Sequence, residues 1–178
     1  MSHALQALYE GDLGTAHKRL PVDDELSVFE AAAFGRCERL RAILANDQAQ
    51  VTARSSDGFT ALHLAIFAQQ ETAARLILDH GGDLNAMSSG EIAHVPPLRT
   101  AAHVRSVAMA KLLLDAGADV NRPGEDGSTA LHVAAFNSDE PLIRLLLERG
   151  PDPSVRNREG KRPADFVSDV SLRSLLAP

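Results

Sequence analysis

The sequence predicts an all-α solenoid of stacked helix–turn–helix units, and three observations predict it. A phrase recurs: Thr60-Ala61-Leu62-His63-Leu64-Ala65 returns as Thr129-Ala130-Leu131-His132-Val133-Ala134, with a weaker copy, Pro96-Pro97-Leu98-Arg99-Thr100-Ala101, between them. The leading leucines at 62, 98 and 131 stand 36 and 33 residues apart, and repeats of this length stack their helices on one another. Each copy is followed by a leucine-rich run and then by an ending built on glycine, aspartate and asparagine. Finally, Leu62, Ala65 and Ile66 fall at i, i+3 and i+4, the spacing of one buried helical stripe.

The elements follow in order along a single predicted domain, residues 1–178. Ala4-Leu5-Gln6-Ala7-Leu8, Gly11 and Leu13 to Leu20 predict a helix-pair cap over residues 1–24. Val28-Phe29-Glu30-Ala31-Ala32, Gly35 and Ile43-Leu44 predict a divergent repeat over 25–56, whose exit from Asn46 to Thr52 lacks the usual glycine. The repeat over 57–89 opens with the turn dipeptide Asp57-Gly58, and Thr60 can cap the first helix. Its helices break at Gln69-Gln70-Glu71, and the second carries Ala73, Leu76, Ile77 and Leu78 before Gly81-Gly82 ends it. The repeat over 90–125 has Leu98, Leu112-Leu113-Leu114 and Gly117-Ala118-Asp119-Val120-Asn121. The repeat over 126–158 has Asp126-Gly127, then Leu142-Ile143 and Leu145-Leu146-Leu147. Ser138 is the expected cap of its second helix, and Pro141 is tolerable in a first turn. Arg162-Pro163-Ala164-Asp165-Phe166 opens a truncated C-terminal unit over 159–178.

These segments resemble ankyrin repeats, whose signature is a period of about 33 with the phrase T-P-L-H-x-A. The resemblance implies a turn, two antiparallel helices and a hairpin finger per unit. It also implies a non-enzymatic protein–protein interaction module that binds through its concave face and fingers. Divergence at both ends fits, because terminal units must present a polar face to water.

Composition narrows the function. A net charge of −6 argues against a nucleic-acid partner, since phosphate contacts need clustered cations. There is no run of about 18 apolar residues and no apolar leader, so neither a membrane nor secretion is expected. A single cysteine, Cys37, excludes an internal disulfide and fits a reducing, cytoplasmic setting. No metal-ligand, phosphate-loop or nucleophile pattern is present, so neither catalytic residues nor a cofactor or metal is expected.

His63 and His132, each three residues after a threonine, invite a catalytic reading. Their fixed place in the repeat favours a structural one, and the resemblance to ankyrin repeats implies that the imidazole bonds its helix start to neighbouring loops. Arg99 holds the same slot in the weaker copy and must reach solvent or a carboxylate, which makes its unit the expected soft spot.

Specificity is then expected where the repeat leaves residues free. In ankyrin-like stacks these are the finger tips and the ends of first helices. Five residues after each leading apolar residue stand Ala33, Phe67, His103 and Phe136, and six after stand Phe34, Ala68, Val104 and Asn137. Phe59 lies beside the Gly58 turn. The candidate protein-binding set is therefore Phe34, Phe59, Phe67, His103, Val104, Phe136 and Asn137. Glu91 and His94 join it from a lengthened finger, because Asn85 to Leu98 spans 13 residues against 10 from Asn121 to Leu131. The expected partner is another protein, bound by a monomer. The rivals are self-association through the Phe stripe, and a small-molecule or enzymatic site near His103 and Arg99.

Overall fold

The computed structural model describes residues 2–89 and 94–177. Among them are eleven α-helices: α1 (His3–Tyr9), α2 (Leu13–Lys18), α3 (Val28–Ala33), α4 (Cys37–Asn46), α5 (Ala61–Phe67), α6 (Glu71–Asp79), α7 (Pro97–His103), α8 (Val107–Asp115), α9 (Ala130–Phe136), α10 (Glu140–Leu147) and α11 (Val170–Leu175). Three 3-10 turns, Asp23–Glu25, Gln48–Val51 and Pro163–Phe166, complete the helical structure. The expected all-α class is therefore observed, and no described helix is long and apolar enough to cross a membrane.

The chain forms two compact units. One comprises the residues up to Asp83 with Ser88 and Ser89; the other comprises Leu84–Met87 and the residues from His94 on. In the first, α1 packs on α2, α3 on α5 and α4 on α6. Alanines fill the helix contacts: Ala31, Ala32, Ala61, Ala65, Ala73 and Ala74 are fully buried, which lets backbones approach closely. Leu40, Leu44, Leu62, Leu64, Ile66 and Ile77 close the remaining space, each worth roughly 1.5–3 kcal/mol on burial. In the second unit α7 packs on α9, α8 on α10, and α9 on the Pro163–Phe166 turn. Its core is Leu98, Met109, Leu113, Leu131, Leu142, Ile143 and Leu146.

One device joins the helices of every pair. The residue after the first helix's C-cap adopts a left-handed backbone at Gly11, Gly35, Gln69, Arg105 and Ser138. The next amide then bonds back to a carbonyl near the helix end, as Gln70 N–H does to Ala65 at 2.8 Å and Asp139 N–H does to Ala134 at 2.9 Å. This corrects the expected cap at Ser138. With φ at 49° Ser138 ends α9, and Asp139 caps α10 by accepting from the Leu142 amide at 3.2 Å.

The recurrent asparagines also gain a reason. Asn85 Oδ1 accepts the Asp119 amide at 3.1 Å, and Asn121 Oδ1 accepts the Asp152 amide at 2.9 Å. Each ties one repeat's ending to the next. Gly127, at φ 76°, is required twice over: it turns its finger, and a Cβ there would press on the backbone of Asn157 and Arg158.

Candidate interaction surface

The repeated threonine–histidine pair is scaffolding. In the second unit the Thr129 amide donates to His132 Nδ1 at 3.1 Å, while His132 Nε2 meets the Lys161 carbonyl at 3.1 Å. An Nδ1 that accepts and an Nε2–H that donates define a neutral imidazole spanning 29 residues. Burial pushes His132 below the usual histidine range, against the raising effect of the Lys161 carbonyl. His63 is equally buried, with Nδ1 2.8 Å from the Thr60 hydroxyl, and Thr60 also caps α5 as expected.

Of the two outcomes expected for Arg99, solvent or a carboxylate, the structure shows the carboxylate. Its guanidinium grips Asp126 with two bonds of 2.6 and 2.7 Å, and its side chain is only 17% exposed. Gly124 makes room: a Cβ there would collide with the Arg99 guanidinium. Burial alone would push Asp126 up, but the Ser128 amide and Arg99 outweigh it and hold the carboxyl below its ordinary range. Arg99 is thus committed to its ion pair.

The candidate surface residues separate by unit. In the first, Phe34 is 9% exposed, its ring edge-on to His17 at 5.4 Å. Tyr9, at the end of α1, meets Phe67 at 5.2 Å and Phe59 at 6.3 Å. Leu5, Leu8 and Leu64 belong to the same apolar cluster. Burial pushes the Tyr9 phenol well above its usual range, and the nearby Asp57 carboxylate pushes it the same way. These three Phe therefore pack inside their own unit, against the N-terminal helix pair, rather than standing clear as an aromatic stripe.

In the second unit the positions equivalent to Phe67 face out. Phe136 is 70% exposed and meets the edge of Phe166 at 6.1 Å. His103 is exposed and Val104 half-buried. Asn137 donates from Nδ2 to the Ala102 carbonyl at 3.3 Å, which ties the ends of α7 and α9 together. In the lengthened finger, His94 lies 3.6 Å from Glu125 and its carbonyl accepts the Glu125 amide at 2.9 Å. Glu91 lies outside the described residues.

Two partners in this geometry escaped the sequence reading. Tyr9 is the only tyrosine, a signal that was available. Phe166 had no comparable signal, because its meeting with Phe136 depends on the 3-10 turn from Pro163. Among the described residues no group of three or more histidine, cysteine or acidic side chains could hold a metal ion.

Comparison with known families gives two matches. A model described as ankyrin repeats (3 copies) covers residues 87–157, and one described as ankyrin repeat covers residues 57–89. Among curated relatives, the B-cell lymphoma 3 protein homolog of Mus musculus is 37% identical over 112 residues, covering 62% of this chain and 24% of the relative. A putative ankyrin repeat-containing protein of Treponema pallidum (strain Nichols) is 33% identical over 126 residues, 69% of this chain and 42% of its own length. The transient receptor potential cation channel subfamily A member 1 homolog of Caenorhabditis elegans is 27% identical over 156 residues, 88% of this chain and 13% of the channel. The chain thus spans less than half the length of each of these relatives.

Proposed function

Because the chain belongs to the ankyrin repeat family, we propose that it is a non-enzymatic interaction module that binds another protein. The binding face is the ends of the first helices α7 and α9 with the adjoining fingers. The observation that carries this reading is Phe136, a large aromatic side chain 70% exposed at the end of a repeat helix whose interior is fully packed. Aromatic side chains are enriched at the centres of protein interfaces, and an exposed one at a repeat helix end is a ready anchor for a partner. His103, Val104 and Asn137 flank it, and His94 extends the face along a finger. Phe34, Phe59 and Phe67 act as packing residues in this reading. The lone Cys37, free and half-buried, suits a reducing cytoplasmic compartment.

The test is affinity purification from the native host with the wild-type chain and with Phe136→Ala as paired baits. A specific protein recovered by the first and lost by the second supports the proposal. A partner held equally by both removes Phe136 from the interface, and no specific protein with either bait overturns the reading.

A further inference from the structure

We infer that α1 and α2 are the resident occupant of a helix-binding groove in the first unit, exchangeable for an amphipathic helix of a partner protein. The residues concerned all belong to the first unit, so this second docking site does not depend on Phe136. Where α1 sits carries the inference. In a repeat stack each unit touches only its neighbours. The unit of α3 and α4 follows the helix pair, and the unit of α5 and α6 follows that one. Yet Tyr9 of α1 reaches past α3 to Phe67 at the end of α5, at 5.2 Å, and to Phe59 on the preceding finger, at 6.3 Å. Leu64 of α5 shares an apolar cluster with Leu5 and Leu8. The helix pair therefore lies across two repeats instead of extending the stack as one more. It covers the positions the repeat leaves free for a partner: Ala33 and Phe34 after the leading Val28, Phe67 and Ala68 after the leading Leu62. α1 meets them with Ala4, Leu5, Ala7 and Leu8, all buried, and turns His3, Gln6 and Glu10 to solvent. One apolar stripe on a helix laid into an apolar groove is a recurring mode of peptide recognition.

The occupant is lightly tethered. Among the described residues no backbone hydrogen bond joins α1 or α2 to the repeats. The Ser2 hydroxyl reaches the Glu30 carboxylate. Asp23, in the connection to α3, meets Arg36 at 3.6 Å between exposed side chains, where such pairs contribute little. The connection is itself open to solvent, with Val22, Asp23, Asp24 and Glu25 all exposed. Helices of seven and six residues have little stability of their own, so packing on the groove is what holds them. A partner helix with the same apolar stripe offers the groove the same packing, and α3 stays packed on α5 throughout. Phe34, Phe59 and Phe67, packing residues while α1 is in place, then line the groove.

The test starts with hydrogen–deuterium exchange of the intact chain. Amides of α1 and α2 should be protected at least about tenfold less than those of α3 and α5, because the pair opens without unfolding the repeats. Equal protection overturns the inference. A labelled peptide of residues 2–20 is then titrated by fluorescence anisotropy against the intact chain and its Leu8→Glu variant. The variant should bind the peptide at least about tenfold more tightly, because its own helix no longer fills the groove. Adding Phe67→Ala to the variant should weaken that binding roughly tenfold. Replacing His3, Gln6 and Glu10 of the peptide by serine should leave binding unchanged, whereas Leu5→Asp in the peptide should abolish it. Protection of α5 in the Leu8→Glu chain shows that the repeats remain folded. Loss of that protection overturns the inference, since α1 is then part of the unit's core, and so does a folded variant that binds no peptide. A wild-type dimer in light scattering that Leu8→Glu abolishes also overturns it, because a second copy then supplies the helix. Loss of a partner on Phe136→Ala is read separately, so the interaction-module reading stands or falls apart from these results.

Discussion

Phe67 and Phe136 hold the same place in their repeats and meet opposite fates. Phe67 ends α5 and lies against Tyr9 in the first unit, whereas Phe136 ends α9 and stands 70% exposed in the second. The difference comes from what else each unit contains. The first has an extra helix pair whose Leu5, Leu8 and Tyr9 complete an apolar cluster over the ends of its repeat helices. In the second, the Pro163–Phe166 turn brings the edge of Phe166 to Phe136. One residue type at one repeat position is therefore packing in one unit and an available anchor in the other.

The largest test of this contrast is the matched pair Phe67→Ala and Phe136→Ala. Removing Phe67 should cost about 2–3 kcal/mol, below the roughly 3–5 expected for a fully buried Phe, because its ring is half-buried. Removing Phe136 should cost under about 1 kcal/mol, the scale of one aromatic edge contact. Urea denaturation of both variants measures this, and equal losses would erase the distinction between the two positions.

A smaller effect tests the histidine slot. His132→Ala leaves the Thr129 amide and the Lys161 carbonyl without their partner, which should cost about 2 kcal/mol. The slot also has a pH signature. His132 titrates below its ordinary range, so its contribution is complete above the unfolded histidine pKa near 6.5 and is lost as pH falls through that range toward the lower folded value. Arg99, in the same slot one repeat earlier, shifts the loss to lower pH. Asp126 is held below the ordinary carboxylate range, so its contribution persists above that range and fades as pH falls through the depressed folded value. Wild type should therefore lose stability in two steps on acidification. The histidine step should shrink in His132→Ala, where the equally buried His63 remains, and the acid step should shrink in Arg99→Met. A pH series of melts in which His132→Ala retains the full upper step would contradict this assignment.

Much of the scaffold was legible in sequence because the repeat copies its own constraints. Thr60 as a cap and the need of Arg99 to reach solvent or a carboxylate follow from local chemistry at fixed spacing, while the bridging role of the repeated histidine follows from the resemblance to ankyrin repeats. The cover over Phe67 was not legible, because Tyr9 lies 58 residues away in a helix pair that follows no repeat pattern. The same holds for Phe166, whose distance from Phe136 is set by a turn rather than by periodicity. Ser138 and Asp139 are both good caps by type, and the left-handed backbone that selects Asp139 leaves no mark on the sequence beyond the glycines at the matching positions of earlier pairs.

That left-handed position supplies the smallest prediction, and it again sets the units side by side. The helix-pair turn holds Gly11, Gly35 and Gln69 in the first unit, and Arg105 and Ser138 in the second, all with φ between 49° and 78°. A side chain there costs about 1–2 kcal/mol relative to an unstrained backbone, while glycine returns part of that gain through the entropy of its unfolded chain. Gln69→Gly and Ser138→Gly should each raise stability by about 0.5–1 kcal/mol. Arg105→Gly should gain less, since it also gives up the Asp139 ion pair at 3.5 Å. Gly35→Ala should lose about the strain alone, because the Gln70 side-chain amide that its new Cβ meets ends a flexible chain that can turn aside. Thermal melts of the four variants test the ranking. If Ser138→Gly were destabilising, the hydroxyl of Ser138 would have a structural role, and the assignment of the cap to Asp139 alone would fail.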